Sequence, residues 1–301
     1  MDMAGLKKGR RGAIAKAISI VENDPKEAKK LIKKIFAKTG NSTIIGITGP
    51  AGAGKSSLID KLVISMKKSK TNPAVLAVDP TSHVTGGAIL GDRVRMSEST
   101  DSGAFIRSIA SRGATGAVSR SLRNSIRVLE YAGFDPIIIE SVGAGQTEID
   151  ISKIADITVV VFNPNTGDSI QTIKAGLTEI GDIYIINKSD LAGAGRLYNA
   201  VCDFIGDSGE RPVVLKTSVK KNTGITTLAK ELVRLADIQN RIPDEVRLKA
   251  ELRDIILSDI EEKLDKMMNT DEEIGACIKK MLSKKMDPFQ AGEKITRLLA
   301  G

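Results

Sequence analysis

The chain has 301 residues, with 45 Lys and Arg against 37 Asp and Glu, one His, two Cys and no Trp. Hydrophobic residues make up 41% and charged residues 27%, which is typical of a globular protein able to bury a core. The single His83 excludes a multi-histidine metal site, and the distant Cys202 and Cys277 argue against a thiolate cage or a disulfide framework. No apolar run is long enough to span a bilayer, and so few cysteines fit a reducing cytoplasm, where we expect the protein.

The net charge of +8 is concentrated in one segment. Eleven basic and four acidic residues give residues 1–40 a charge of +7, whereas residues 41–240 carry +2 and residues 241–301 carry −1. Aromatic residues are only 3% of the chain, too few for a base-stacking platform, so we do not expect nucleic-acid binding. A solvated helix face is the first explanation of the N-terminal charge, and a docking surface for an acidic partner is the second.

Two helices are predicted within residues 10–38, because apolar residues recur at helical spacing on both sides of a break at 22–25 that contains Pro25. Beyond residue 42, short β-branched runs alternate with helical stretches, a pattern that predicts a parallel sheet covered on both faces. The predicted strands are 43–48, 74–79, 136–140, 157–163, 182–187 and 212–217, and the predicted helices between them include 55–68, 119–132, 170–179 and 225–236.

The last 60 residues contain no strand pattern, and three helices are predicted at 246–267, 271–282 and 288–299. Such a short helical segment is expected to pack on the main domain or on another subunit. The sequence therefore predicts an N-terminal helical arm (1–40), an α/β nucleotide-binding domain (41–240) and a C-terminal helical extension (241–301).

The clearest motif is the sequence G-P-A-G-A-G-K-S at 49–56, which matches the phosphate-loop pattern G-x-x-x-x-G-K-S between a predicted strand and a predicted helix. Its glycines allow main-chain N–H groups to face phosphate oxygens at the start of a helix. Lys55 is expected to reach the β- and γ-phosphates, and the Ser56 hydroxyl to bind Mg²⁺. The residues assigned to phosphate binding are Gly49, Gly52, Ala53, Gly54, Lys55, Ser56 and Ser57.

A second motif, Asn187-Lys188-Ser189-Asp190, follows a late predicted strand. A carboxylate at Asp190 can accept hydrogen bonds from N1–H and the 2-amino group of guanine, donors that adenine lacks, so it would select GTP over ATP. Asn187, Lys188 and Ser218 are assigned to the same nucleotide-binding set. A polar turn without a ligand is the alternative.

Acidic residues at two other strand ends are candidates for the metal and water shell. Glu140 ends one predicted strand, and Gly143 follows three residues later, a layout typical of a γ-phosphate sensor. Asp79 ends another strand, and Asp92 follows in Asp92-Arg93-Val94-Arg95; both are candidate Mg²⁺ ligands, directly or through water. A glycine-rich connector and a solvated charged face are the respective alternatives. His83 is interpreted as a loop residue.

Five arginines lie between residues 107 and 127. One of them could act as an arginine finger in cis, although a basic helix face exposed to solvent is the simpler interpretation. The five are Arg107, Arg112, Arg120, Arg123 and Arg127.

Taken together, these motifs resemble the MeaB/ArgK family of phosphate-loop GTPases over most of the chain. The resemblance begins near residue 9 and extends to about residue 291. It is carried by VDPTS at 78–82, TGGAILGDRVRM at 85–96, FIRS at 105–108, ESVGAGQTE at 140–148, GDSIQ at 167–171, KAG at 174–176 and NKSD at 187–190.

The resemblance implies a GTPase that chaperones an adenosylcobalamin-dependent acyl-CoA mutase of the methylmalonyl-CoA mutase type, gates its cofactor loading and protects it from inactivation. It also implies GTP or GDP with Mg²⁺ as ligands and a homodimer built partly through the C-terminal helices. By motif position it assigns Asp79, Asp92 and Glu140 to the metal and water shell, Glu140 and Asp92 together with Lys55 to catalysis, and residues 167–174 to an additional switch segment. Residues 82–85 (SHVT) depart from the apolar pair usual there, which bears on the partner rather than on the nucleotide.

Two other functions are compatible with a phosphate loop. A kinase linked to arginine/ornithine transport, an older view of the family, would need an acceptor site, and no acceptor motif is present. A membrane-targeting GTPase would need an amphipathic or Met-rich module; Met267, Met268, Met281 and Met286 are interpreted instead as core or dimer contacts.

Overall fold

The structure is a computed structural model that describes residues 1–79, 96–110, 117–141, 151–165, 179–205, 212–238 and 244–300. The chain forms two compact units, Met1–Asp244 and Glu245–Gly301. Among the described helices, none combines the length and the hydropathy that crossing a membrane requires.

The first unit begins with three helices, α1 (Met3–Lys7), α2 (Arg11–Asn23) and α3 (Pro25–Ile35), followed by a 3₁₀ turn at Phe36–Lys38. The break between α2 and α3 is set locally. The Asp24 side chain accepts from the Glu27 main-chain N–H at 3.0 Å, and proline occupies the first turn of α3. The predicted helical hairpin is confirmed.

Within the described residues, seven parallel strands form one sheet in the order β3-β2-β4-β1-β5-β6-β7. This confirms the predicted parallel sheet of a phosphate-loop protein. The strands are β1 (Ile44–Thr48), β2 (Ala74–Asp79), β3 (Phe105–Ala110), β4 (Ile137–Ser141), β5 (Ile157–Phe162), β6 (Ile183–Ile186) and β7 (Val213–Lys216).

The helices between the strands cover both faces of the sheet. They are α4 (Lys55–Lys68), α5 (Ser97–Asp101), α6 (Ala117–Tyr131), α7 (Ala194–Ile205) and α8 (Ile225–Ile238). Three elements of the sheet and its covering helices, β3, α5 and α7, were not among those predicted from the sequence. The predicted helix at 170–179 lies almost wholly outside the described residues.

Alternating side chains of each strand point to opposite faces, so the strands contribute to two cores. On one face, Ile45 and Ile47 of β1 pack with α4 and α8. On the other face, Ile44 packs with α2, α3 and α6, and farther along that face α7 packs on β5 and β6. Residues along the whole of β1 are therefore buried in these cores, and the loop that follows β1 leaves the sheet at its carboxyl edge.

The N-terminal helices are part of the first core, where Ile14 and Ile18 are fully buried. The Arg107 guanidinium of β3 donates to the Glu22 carboxylate at 3.1 Å and to the Ser19 hydroxyl at 3.1 Å. Arg127 lies 5.1 Å from the centre of the Phe36 ring. The interpretation of the arginines as a solvated face is therefore wrong for Arg107 and Arg127, because both contact the N-terminal helices. Arg123 is also buried.

The second unit consists of α9 (Asp244–Thr270), α10 (Glu272–Leu282) and α11 (Pro288–Ala300). Helices α10 and α11 contact one another around Ile274 and Ala291, and Lys294 forms an ion pair with Glu273 at 3.1 Å. Large apolar side chains of α9 are exposed at four-residue spacing, which places them along one side of that helix. They are Leu248, Leu252, Ile256 and Ile260.

Candidate nucleotide-binding site

The loop between β1 and α4 has a backbone that its glycines make possible. Gly49, Gly52 and Gly54 have φ angles of +138°, +76° and +87°, which side chains rarely allow. A Cβ on Gly49 would lie 2.1 Å from the Val161 carbonyl oxygen, and one on Gly54 would lie 2.6 Å from Asn187 Nδ2. The loop thus lies directly against β5 and the segment after β6, at the carboxyl end of the sheet.

Lys55 folds back over this loop. Its Nζ donates to the Gly49 carbonyl at 2.6 Å and to the Pro50 carbonyl at 3.2 Å, and the residue is 6% exposed. A cation held by main-chain carbonyls at the start of α4 adds to the positive potential of the helix N-terminus. The arrangement favours an anion such as phosphate near the start of α4.

Ser56 and Glu140 meet at the carboxyl edge of the sheet. The Ser56 hydroxyl donates to Glu140 Oε1 at 2.7 Å, and Glu140 is buried near the end of β4. Pairing of Ala77 with Glu140 places Asp79 on the neighbouring strand two residues farther toward the same edge. The Ser56 hydroxyl and the Glu140 carboxylate are both hard oxygen donors.

Asn187 and Lys188 hold the phosphate loop from the side of β6. Asn187 Nδ2 donates to the Ala53 carbonyl at 2.9 Å, and Asn187 Oδ1 accepts from the Thr217 hydroxyl at 3.1 Å. Lys188 Nζ donates to the Gly52 carbonyl at 2.8 Å. The two predicted motifs, more than 130 residues apart, therefore form one hydrogen-bonded unit.

Asp190 lies beside this unit and is positioned by Ser218. The Ser218 hydroxyl donates to Asp190 Oδ1 at 2.6 Å and accepts from the Lys221 main-chain N–H at 3.1 Å. The hydrogen bond from Ser218 lowers the pKa of the Asp190 carboxyl below its ordinary value of 3.8. Asp190 is therefore a hydrogen-bond acceptor throughout the neutral pH range.

Most predicted site residues are close together at this edge, with differences in detail. Ala53 is fully buried, whereas Ser57 is exposed on α4. Asp79 is described by its main chain, which pairs with Ala110 of β3. Asp92 and Gly143 lie outside the described residues, as do His83, Arg112 and the predicted switch segment at 167–174.

Two contributors to the site were missed by sequence reasoning. Thr217 orients the Asn187 amide, and Asn163 donates from Nδ2 to the Gly52 carbonyl at 3.1 Å. Both are polar residues immediately after an apolar strand whose carboxyl end lies at the loop. A polar residue at the carboxyl end of an apolar strand, the position that had already singled out Glu140 and Asn187, was the available signal.

The sequence matches the family model described as "Methylmalonyl Co-A mutase-associated GTPase MeaB" over residues 14–272. The chain belongs to the MeaB family. The resemblance inferred from the motifs is thereby confirmed, and so is GTP hydrolysis as its activity, with GTP and GDP as its nucleotides.

Similar proteins come from archaea, bacteria and mammals. A putative GTPase of Pyrococcus abyssi is 42% identical, with 98% of this chain and 95% of the relative covered. The GTPase ArgK of Escherichia coli is 34% identical, with 73% and 70% covered. The mouse protein named methylmalonic aciduria type A homolog, mitochondrial, is also 34% identical, with 74% and 60% covered.

Solved structures support the fold of this MeaB-family chain. A crystal structure titled LAO/AO transport system kinase aligns with a TM-score of 0.69 and 24% identity, covering 100% of this chain and 97% of that one. HypB from Helicobacter pylori, solved with nickel, aligns with a TM-score of 0.53 and 13% identity, covering 72% and 96%. At these identities the similarity shows the shared fold.

Proposed function

We propose that this GTPase binds GTP with Mg²⁺ at the site described above and serves as a chaperone of an adenosylcobalamin-dependent acyl-CoA mutase of the methylmalonyl-CoA mutase type. The observation that carries the proposal is the match to a mutase-associated GTPase family over residues 14–272. The name of the mouse relative, which refers to methylmalonic aciduria, supports the same partner.

The geometry supports a division of roles among the site residues. Lys55 lies at the start of α4, where its charge can stabilise the β- and γ-phosphates. Asp190 would accept from guanine N1–H and the 2-amino group, with Asn187, Lys188 and Ser218 holding the surrounding loops. Main-chain groups of the phosphate loop would bind the phosphates. They belong to Gly49, Gly52, Ala53, Gly54, Lys55, Ser56 and Ser57, together with Gly143.

The oxygen donors at the strand ends fit Mg²⁺. Ser56 and Glu140 are already in contact, and Asp79 ends the strand beside β4. In the described part of the chain, no group of three or more His, Cys, Asp and Glu could hold a metal ion by itself. This agrees with an ion that takes few carboxylates and is completed by phosphates and water. Ser56, Glu140, Asp79 and Asp92 are the proposed ligands; a bound Mg²⁺ neutralises charge on the transferred phosphate.

For hydrolysis, we assign water positioning to Glu140 with Asp92, and charge stabilisation to Lys55. Lys55→Ala should abolish phosphate release from GTP, because it removes the cation at the start of α4. The other lysine bonded to the loop, Lys188, donates from Nζ to the Gly52 carbonyl. Lys68→Ala, an exposed lysine at the other end of α4, is the matched control. Near wild-type release by Lys55→Ala would refute the phosphate-loop role.

Nucleotide choice is tested at Asp190. Asp190→Ala should weaken GTP binding severely and abolish the preference over ATP, while far-UV circular dichroism stays unchanged because the residue lies in a surface loop. The exposed Asp203→Ala on α7 is the control. A preserved GTP preference in Asp190→Ala would remove the guanine assignment. Transfer of γ-phosphate to a protein acceptor, rather than its release, would favour the kinase alternative.

The chaperone role predicts that the bound nucleotide sets the affinity for the mutase. We expect different dissociation constants for a purified methylmalonyl-CoA mutase when the GTPase carries a non-hydrolysable GTP analogue and when it carries GDP. Biolayer interferometry with both nucleotide forms measures this difference. Equal affinities would exclude nucleotide-gated chaperoning, and capture of a different enzyme from a native lysate would redirect the partner assignment.

A homodimer through the C-terminal unit is part of the proposal. The exposed apolar side of α9 (Leu248, Leu252, Ile256 and Ile260) is a surface of the kind that association covers. Light scattering after size exclusion should give twice the chain mass of 32.1 kDa. Leu252→Glu should reduce this to the monomer mass, whereas Glu251→Gln on the same helix should not. A wild-type monomer would contradict the proposal.

A further inference from the structure

Asn163 directly follows β5 and belongs to no motif identified in the sequence. It is 2% exposed. Its Nδ2 donates to the Gly52 carbonyl at 3.1 Å, and its Oδ1 accepts from the Asn165 main-chain N–H at 2.8 Å. A buried amide that is bonded at both ends fixes the two segments that it joins. Asn163 thus links the phosphate loop to the turn after β5.

The point at which Asn163 attaches has little packing of its own. Gly52 has a φ of +76°, and a Cβ placed there would meet nothing within 4 Å. The Gly52 carbonyl accepts from Asn163 and from Lys188, while the Ala53 N–H of the same peptide unit donates to the Pro50 carbonyl at 3.2 Å. Because the peptide unit is planar, these bonds fix its orientation on the Gly52 side, where no side chain packs, while buried Ala53 anchors its other side.

We infer that Asn163 is a positioning residue for nucleotide binding, which holds the Gly52–Ala53 peptide unit in the conformation that receives the phosphates. The inference rests on the proposed role of the phosphate loop. Asn163 acts through the main chain, since its two amide ends bond Gly52 and Asn165. A loop that is already ordered loses less conformational entropy on binding, so its nucleotide is held longer.

The size of the effect follows from the bond that is lost. One neutral hydrogen bond contributes a net effect equivalent to roughly two- to tenfold in an equilibrium constant. Lys188 still restrains the same carbonyl after Asn163 is changed, so complete loss of binding is not expected. GDP release should become about two- to tenfold faster.

The test compares Asn163→Leu, which keeps the branched shape of the side chain but removes both its donor and its acceptor, with Asn165→Ala, which keeps the main-chain N–H that donates to Asn163 Oδ1. Asn165 has an exposed side chain and is the matched control. Stopped-flow release of a fluorescent GDP analogue, well below the melting temperature, should be faster in Asn163→Leu and unchanged in Asn165→Ala. Asn163→Ala, which removes both hydrogen bonds without adding volume or charge, should also accelerate release and serves if the leucine variant does not fold.

A purely structural role would lower the melting temperature and leave the release rate at the wild-type value, and this result would overturn the inference. The GTP-over-ATP preference should be unchanged in both Asn163 variants, because Asp190 is untouched; a lost preference would also overturn it. The outcome is separable from the proposed function. If Lys55→Ala abolishes hydrolysis while both Asn163 variants release GDP at the wild-type rate, only the positioning role fails.

Discussion

Two glycines of the phosphate loop allow backbone strain to be separated from steric clash. Gly49 and Gly52 both have positive φ, so alanine is strained at either position. At Gly52 the added Cβ meets nothing within 4 Å, whereas at Gly49 it would lie 2.1 Å from the Val161 carbonyl oxygen and 3.1 Å from the Val161 nitrogen. Gly49→Ala therefore has both costs, and Gly52→Ala has only the first.

The expected magnitudes follow from these distances. Gly52→Ala should lower the free energy of unfolding by about 1–2 kcal/mol, the cost of a left-handed residue with a side chain. At Gly49 the obstacle is the main chain of a central strand, which cannot rotate away, so an overpacking cost of about 1–3 kcal/mol adds to the same strain and brings the expected loss to about 2–5 kcal/mol. Moving the loop would also disturb the 2.6 Å bond from Lys55 Nζ to the Gly49 carbonyl. The total free energy of unfolding of a protein is typically about 5–15 kcal/mol, so the Gly49→Ala variant would be severely destabilised.

Urea unfolding of the nucleotide-free protein measures both losses. Far-UV circular dichroism is the suitable signal, because the chain has no Trp and the fold is rich in helix. Equal slopes with a lower midpoint would indicate a change in stability alone. If the two variants were destabilised within about 0.5 kcal/mol of each other, the steric argument would be refuted, since the difference would then be no larger than an ordinary surface substitution.

Three further predictions concern other contacts. Ser218→Ala should move the acid limb of GTP binding to higher pH, because Asp190 loses the bond that lowers its pKa and is protonated sooner as the pH falls; an unshifted limb in a pH titration of affinity would contradict this. Arg107→Met should lower the free energy of unfolding by about 1–3 kcal/mol and leave GTP turnover intact, because the guanidinium bonds Glu22; a large loss of turnover would revive the arginine-finger hypothesis. Ile18→Ala should cost about 2–5 kcal/mol in urea unfolding, and a loss under about 1 kcal/mol would show that α2 is peripheral.

The parts of the site that the sequence predicted are those encoded by adjacent residues. Residues 49–56 specify the loop because the glycine spacing, the preceding strand and the following helix all lie within one short segment. Asn187 and Asp190 were recognised for the same reason, as a short motif after an apolar strand. In local patterns of this kind, the motif and the strand or helix beside it lie in the same short segment of sequence.

The missed features depend on contacts between distant segments. Asn163 is 111 residues from Gly52, and Thr217 is 30 residues from Asn187, so neither bond has a local pattern. Strand β3 contains Arg107 in its middle, and a charged residue in an edge strand weakens the apolar run that indicates a strand. The role of Arg107 depends on Glu22, 85 residues earlier, which composition and periodicity cannot indicate.

The packing of α2 and α3 has a consequence for synthesis of the chain. Their partners in β3 and α6 come later in sequence, with contacts such as Arg11 to Ala104 and Glu22 to Arg107 spanning 93 and 85 residues. At roughly 5–20 residues per second, the ribosome needs about 5–20 s to deliver those partners. During that interval the stripe containing Ile14 and Ile18 is uncovered on helices that carry most of the net charge of the protein. Mutual repulsion between neighbouring nascent chains then opposes their association until β3 and α6 are available.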